Sequence, residues 1–191
     1  HKGTDNISAD TGAAKAASPF GDVYEADGSI KVRPWDDNRI ANPLLNRSVD
    51  DKYYRTQNFN SSVYGKLTLP FGFTWQTTFN VRYGWRKDYY FDSDIKPGVV
   101  AGGKAKREDY SDYEWSIDNM LKWNRTFAKI HNFDFTFVYT AEKYQNWKST
   151  GNNEGFQPNG TLSYHAIQSG ITPTVSSNDE MQTGNGLLWR L

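Results

Sequence analysis

The sequence predicts an all-β fold, a run of about five antiparallel strands from the wall of a large transmembrane β-barrel. Three observations predict it. Long segments alternate apolar and polar residues with period 2, which separates the two kinds onto opposite faces of a strand. The connections between those segments alternate between tight and long. Aromatic residues recur near both ends of the apolar faces, where a membrane interface would lie. A barrel strand shows lipid and lumen in turn, so its mean hydropathy stays low; here the mean is −0.79.

Residues 1–58 read as a loop region, extracellular if the strands cross a membrane. Ser18-Pro19-Phe20-Gly21, Asp27-Gly28-Ser29 and Asn42-Pro43 are turn signals. Residues 9–17 carry a short helical pattern, with Asp10 or Thr11 as its cap. The first strand is expected at about 59–69, with Phe59, Val63, Leu67 and Leu69 on one face. Pro70-Phe71-Gly72 then turns the chain tightly. The second strand, 73–91, puts Phe73, Trp75, Phe79, Val81, Tyr83, Trp85, Tyr89 and Phe91 on one face, interrupted by Thr77 and Lys87. A long polar loop is expected at 92–112. The third strand, 113–127, aligns Trp115, Ile117, Leu121, Trp123 and Phe127, with Asn119, Met120 and Arg125 breaking the pattern. Residues 128–130 form another short turn. The fourth strand, 131–147, alternates most cleanly through Phe133, Phe135, Phe137 and Tyr139. A second long loop covers 148–183, and a fifth strand is expected at 184–191.

Two explanations compete for these faces. One is a soluble antiparallel sheet with one face on a core. The other is a barrel wall, and three features favour it. Short turns alternating with long loops match the periplasmic and extracellular ends of outer-membrane barrels. Trp75 and Trp85 share a face; at ~3.3 Å per residue and a tilt near 45° they stand roughly 23 Å apart along the membrane normal, against an apolar band of ~25 Å. Trp115 and Phe127 bracket the next strand comparably. Five such strands are too few to close, since the smallest single-chain barrels have ~8, so the barrel reading implies a section of a larger wall.

Composition narrows the function classes. Lys+Arg and Asp+Glu both number 22, so the formal net charge is zero and the basic excess expected of a nucleic-acid binder is absent. With no cysteine, disulfides, cysteine-based zinc sites and thiol nucleophiles are excluded. No apolar run exceeds three residues, so no transmembrane helix or secretory leader fits. Aromatics at 16% set the chain apart from disordered sequences.

The run Ala17-Ser18-Pro19-Phe20-Gly21, then Tyr24-Glu25-Ala26-Asp27-Gly28 and Asn42-Pro43-Leu44, resembles the SusC/RagA family of TonB-linked outer-membrane transporters of Bacteroidetes. The turn Leu69-Pro70-Phe71-Gly72-Phe73, the stretch from Trp115 to Trp123 and His131-Asn132-Phe133 continue the likeness. Order and spacing carry it over most of the chain; no single motif is specific. The resemblance implies part of a barrel of about 22 strands with a plugged lumen. It implies import of oligosaccharides or peptides, capture by a SusD-like surface lipoprotein, and release driven by TonB through a plug and TonB box that this sequence lacks. An isolated section would transport nothing by itself. Other readings are a soluble secreted glycan-binding β-domain, or another outer-membrane protein such as a siderophore or cobalamin receptor or a porin.

No enzymatic chemistry is expected. His1, His131 and His165 have no metal-ligand spacing. The carboxylates Asp36-Asp37, Asp50-Asp51 and Asp92 with Asp94 stand in polar segments without a helper constellation, and read as solvated. Asp92-Ser93-Asp94 lacks the glycine and terminal glutamate of a calcium loop. No cofactor or metal is assigned. Candidate ligand or lid contacts are the loop aromatics Trp35, Tyr53, Tyr54, Tyr89, Tyr90, Trp147 and Tyr164, whose flat rings and polar tips suit sugars and protein surfaces; the bland reading is that they pack the loops. Trp75, Phe79, Val81, Trp85, Leu121, Trp123, Phe133, Phe135, Phe137 and Tyr139 are assigned to lipid. Arg82, Arg86, Asp118, Lys122, Asp134 and Glu142 are assigned to the lumen, where opposite charges on neighbouring strands can pair.

Overall fold

The computed structural model describes residues 10–17, 20–34, 40–156 and 162–191. Five strands dominate it: β1 (Asp51–Thr68), β2 (Phe73–Asp92), β3 (Lys104–Phe127), β4 (His131–Glu154) and β5 (Thr174–Arg190). They form one antiparallel sheet in chain order, β1-β2-β3-β4-β5. Two short helices precede them, α1 (Thr11–Ala16) and α2 (Leu45–Val49). The expected cap of α1 is in place: Asp10 Oδ1 accepts from the backbone N–H of Gly12 at 2.9 Å and of Ala13 at 3.0 Å.

The strands outrun the alternation. β1 starts at Asp51 rather than near 59, and β3 at Lys104 rather than near 113. β4 continues to Glu154 rather than 147, and β5 starts at Thr174 rather than 184. The two long loops shrink accordingly. For β3 the reason lies in residues 104–112, where, Ala105 apart, charged and polar side chains occupy both faces. Backbone pairing continues there after the contrast between faces has ended, and period 2 cannot report it.

Both short turns appear where expected. Residues Pro70–Gly72 form a tight turn with Phe71 at φ 66°, closed by the Leu69 N–H donating to the Phe73 carbonyl at 2.9 Å. Gly72 has φ 87°, and a Cβ there would collide with the Asn124 carbonyl oxygen. At the second turn the Ile130 N–H donates to the Phe127 carbonyl at 3.1 Å.

The chain divides into two compact units. The first comprises His1–Arg55, Arg86–Asp109 and Ser149–Ser177; the second comprises Thr56–Trp85, Tyr110–Lys148 and Asn178–Leu191. The first unit has a conventional core of Tyr89, Phe91, Ala105, Phe156 and Tyr164, with Tyr53 and Ile167 packed on it. In the second unit, among the described residues, no apolar side chain is buried. Most of its apolar residues lie on one sheet face, which no other described residue covers.

Candidate functional site

The second unit presents two chemically opposite faces. On one, the rings of Trp75, Phe79, Trp85, Phe133 and Tyr139 are exposed, and Val81, Leu121, Trp123, Phe135 and Phe137 are half-exposed. Around the short turns the aromatics form a contiguous group. Phe73 stacks on Trp123 with centroids 5.9 Å apart, Trp123 lies 6.2 Å from Phe127, and Phe127 meets Phe133 edge-on at 5.7 Å. The Trp123 indole N–H donates to the Phe71 carbonyl at 3.0 Å, tying ring to turn. Arg125, a break in the alternation, has its guanidinium 5.2 Å from the Phe127 ring centre. Apolar bodies with polar tips are the chemistry of a membrane interface.

The other face is polar and largely satisfied by itself. Ser62 Oγ donates to Asn80 Oδ1 at 2.6 Å, and Asn80 Nδ2 donates to Ser116 Oγ at 3.1 Å, linking β1, β2 and β3 in a row. Arg82 pairs with Asp112 at 2.8 Å and with Glu114 at 3.5 Å. Thr140 donates to Asp118 at 2.6 Å, and Asn124 to Asp134 at 3.3 Å. Glu142 lies against Gly184, where a Cβ would strike its carboxylate. Lys122 is exposed. A shallow groove of about 400 Å³ runs over Asn60, Ser62, Asn80, Arg82, Glu114 and Ser116. Cross-strand ion pairing of the kind expected is thus formed at Arg82, with Asp112 as a partner the alternation did not single out.

In the first unit the loop aromatics separate into two groups. Tyr89 and Tyr164 are 6% and 3% exposed, which removes them as ligand contacts in this conformation. Their rings lie 5.7 Å apart, Tyr53 lies 5.7 Å from Tyr89, and the Arg107 guanidinium sits 4.4 Å over the Tyr89 ring. Burial pushes both phenols up from their ordinary pKa. Packing wins here: both rings are part of the core that Phe91, Ala105 and Phe156 complete. Tyr54 stays exposed and Tyr90 is half-buried; Trp147, half-buried too, belongs to the second unit. Trp35 lies outside the described residues, as do Asp36-Asp37 and His1.

The sequence reading missed a pair of carboxylates. Asp50 and Asp51, read as solvated, are 8% and 5% exposed. Asp50 holds the connection between β2 and β3: Lys96 Nζ donates to its Oδ2 at 2.6 Å and the Ser93 N–H to its Oδ1 at 3.3 Å. Asp51 holds the connection between β4 and β5, accepting from Ser163 Oγ at 2.8 Å. Lys96 also reaches Asp92 at 3.0 Å, and Lys104 lies 3.4 Å from the other Asp92 oxygen. Burial raises the Asp50 pKa, outweighing its bond to Lys96. Burial works against the Lys96 charge too, but its two aspartate partners outweigh that and raise its pKa. A cleft of about 330 Å³ opens beside this cluster, lined in part by Asp10, Asn42, Asn46, Asp92, Lys96 and Lys104. Asp94 accepts from the Gly102 N–H at 2.7 Å, so it and Asp92 serve different partners. Among the described residues no group of three potential metal ligands comes together.

No family model matches the chain, and no curated protein matches it. Among solved structures it is similar in fold to a chain of the RagAB peptide transporter, with a TM-score of 0.63 at 14% sequence identity. The likeness covers 85% of this chain and 18% of that one, so this chain spans under a fifth of its neighbour. No helix among the described residues is long and apolar enough to cross a membrane.

Proposed function

We propose that the chain is a section of barrel wall, with its loops, from a TonB-dependent outer-membrane transporter of the SusC/RagA type. One observation carries the reading. The second unit is built of long neighbouring strands with an uncovered aromatic face, backed by a face of hydrogen-bonded polar side chains. In water, an apolar face of that extent would call for a protein partner. In a bilayer it needs none, and the polar face then looks into a lumen. The fold likeness to a peptide transporter supports the reading. The second unit supplies wall and the first supplies outer vestibule. The cargo is an oligosaccharide or a peptide, a SusD-like lipoprotein is the surface partner, and TonB supplies the drive. The work of the section is binding and mechanical, without covalent chemistry.

The test is an antibody against this segment, applied to fractionated source cells. The expected band lies several-fold above 21.9 kDa, in the outer membrane, and shifts on boiling as closed barrels do. A soluble band near 21.9 kDa overturns the transporter in favour of a secreted glycan-binding β-domain.

A further inference from the structure

Lys87 breaks the alternation of β2, placing a cation on the aromatic face two residues beyond Trp85. The register between β1 and β2 follows from Tyr53 packing on Tyr89, Ser62 bonding Asn80, and the Leu69 N–H donating to the Phe73 carbonyl. That register sets Arg55 directly opposite Lys87. Both cations belong to the first unit and both are exposed. Like charges directly opposite one another work against strand pairing. Neither makes an ion pair with a carboxylate among the described residues. The register of Asn80 with Ser116 brings Asp109 beside Lys87, but Asp109 is engaged by the Tyr89 hydroxyl, which donates to its Oδ1 at 2.6 Å. Arg107, next along β3 on that face, is committed to the Tyr89 ring.

Arg55 and Lys87 thus set two positive charges side by side with no counter-charge of their own, on a chain whose net charge is zero. Such a pair calls for an anion from outside. The level of the pair says which anion stands there. Trp85 marks the aromatic belt on the side of the long loops, which is the outer side of a barrel wall. Two further residues at ~3.3 Å each, with a tilt near 45°, place Lys87 roughly 5 Å beyond that belt, among lipid headgroups. Farther along the same face Tyr53 and Tyr89 are already packed with Tyr164 in the core of the first unit. The cations therefore occupy the last open stretch before that core begins. A planar guanidinium fork beside an ammonium point charge suits a phosphate, which offers several acceptor oxygens to both. We propose that Arg55 and Lys87 form a binding site for the phosphate of a lipid in the outer leaflet; the inference rests on the transporter reading above.

The test uses the whole protein that contains this chain, held in mild detergent. It is titrated with phosphorylated glycolipid from the source outer membrane, then with the same glycolipid stripped of phosphate. Native mass spectrometry reads the lipid bound per copy. The wild type is expected to prefer the phosphorylated form by about 30-fold, since each basic side chain at an anionic lipid surface contributes about fivefold. The double variant Arg55→Gln/Lys87→Gln is expected to bind both forms alike with its heat-shifted band retained. Each single variant is expected to lose about fivefold, which locates the site even where the double variant does not assemble. Lys66→Gln, which removes a cation from the opposite face of β1, is expected to behave as wild type. Equal affinity of the wild type for the two forms, a preference that survives in the variants, the same loss in Lys66→Gln, or inorganic phosphate bound as tightly as the lipid overturns the site while leaving the transporter standing. A soluble protein without a heat-shifted band overturns both.

Discussion

Ala128 and Lys129 have φ of 51° and 60°, the left-handed region at two successive turn residues. That is the backbone of a primed hairpin turn, for which Asn-Gly is the preferred filling. An L-residue with a Cβ is penalised there by roughly 1 kcal/mol. Replacing the pair by Ala128→Asn/Lys129→Gly is therefore expected to stabilise the β3–β4 hairpin by about 1 kcal/mol, read as a higher urea midpoint for loss of the folded gel band. Gly103 is the opposite case. Its φ is 81°, and a Cβ would lie 2.6 Å from Phe91 Cζ and 2.8 Å from the Asp92 carbonyl oxygen. Gly103→Ala combines backbone strain with a clash against the aromatic core of the first unit. It is expected to expose segment 93–103 to protease while leaving assembly of the wall intact, a contrast that limited proteolysis on cells would show. At this scale the breaks in the pattern prove informative. Thr77 and Asn119 each interrupt an alternation, and the structure bonds one to the other. Neither could be paired from sequence alone, because the pairing depends on the register between β2 and β3.

The elements of the first unit are fastened by Asp50 and Asp51, one to each long connection. Lys96 stands between Asp50 and Asp92. Lys96→Met would leave Asp50 without its cation beside Asp92, which keeps only Lys104. A fully buried pair broken this way costs ~3–5 kcal/mol; with the cluster only partly buried, about 2 kcal/mol is expected. The pH dependence follows from the directions of the shifts. Asp50 has its folded pKa raised above the ordinary 3.8. Between those values the folded chain holds a proton that the unfolded chain has lost, so stability from this group falls as pH rises through the window. Lys96 has its pKa raised above 10.5. Its contribution is complete below that value and is lost only as pH rises through the higher folded one. Lys96→Met removes what lowers the Asp50 pKa, so its penalty should shrink on mild acidification. Hydrogen exchange in segment 93–103 at pH 5 and pH 7 reads this directly; equal penalties at both would show that Asp50 is not the responsible group. The Asp50-Asp51 pair was visible in the sequence, but its burial was not. Its partners Lys96 and Ser163 are distant in the chain, and no local pattern announces a contact over such separations.

At the scale of the molecule, the two faces were legible because period 2 is a local property: Phe133, Phe135 and Phe137 declare one side of β4 by spacing alone. Strand ends were less legible, since the ladder continues through 104–112 after polarity stops distinguishing the faces. The inversion of the two units was not legible at all. The many aromatics of the chain serve as core in one unit and as outer surface in the other, and only tertiary contacts tell which. That division leads to the sharpest test of where the apolar face looks. Phe135 and Thr136 are neighbours on β4 with side chains on opposite faces. Arginine at the bilayer midplane costs ~2–4 kcal/mol on a lipid-facing barrel position, whereas lumen positions accept charge. Phe135→Arg is thus expected to abolish the heat-shifted outer-membrane band, and Thr136→Arg to preserve it. A soluble sheet packed on a core would also suffer from Phe135→Arg, but its loss would appear as aggregation or degradation of a soluble species. Normal insertion and abundance of Phe135→Arg would place that face away from lipid. Blocked assembly by both variants would show instead that the wall has no room for arginine on either side at this level.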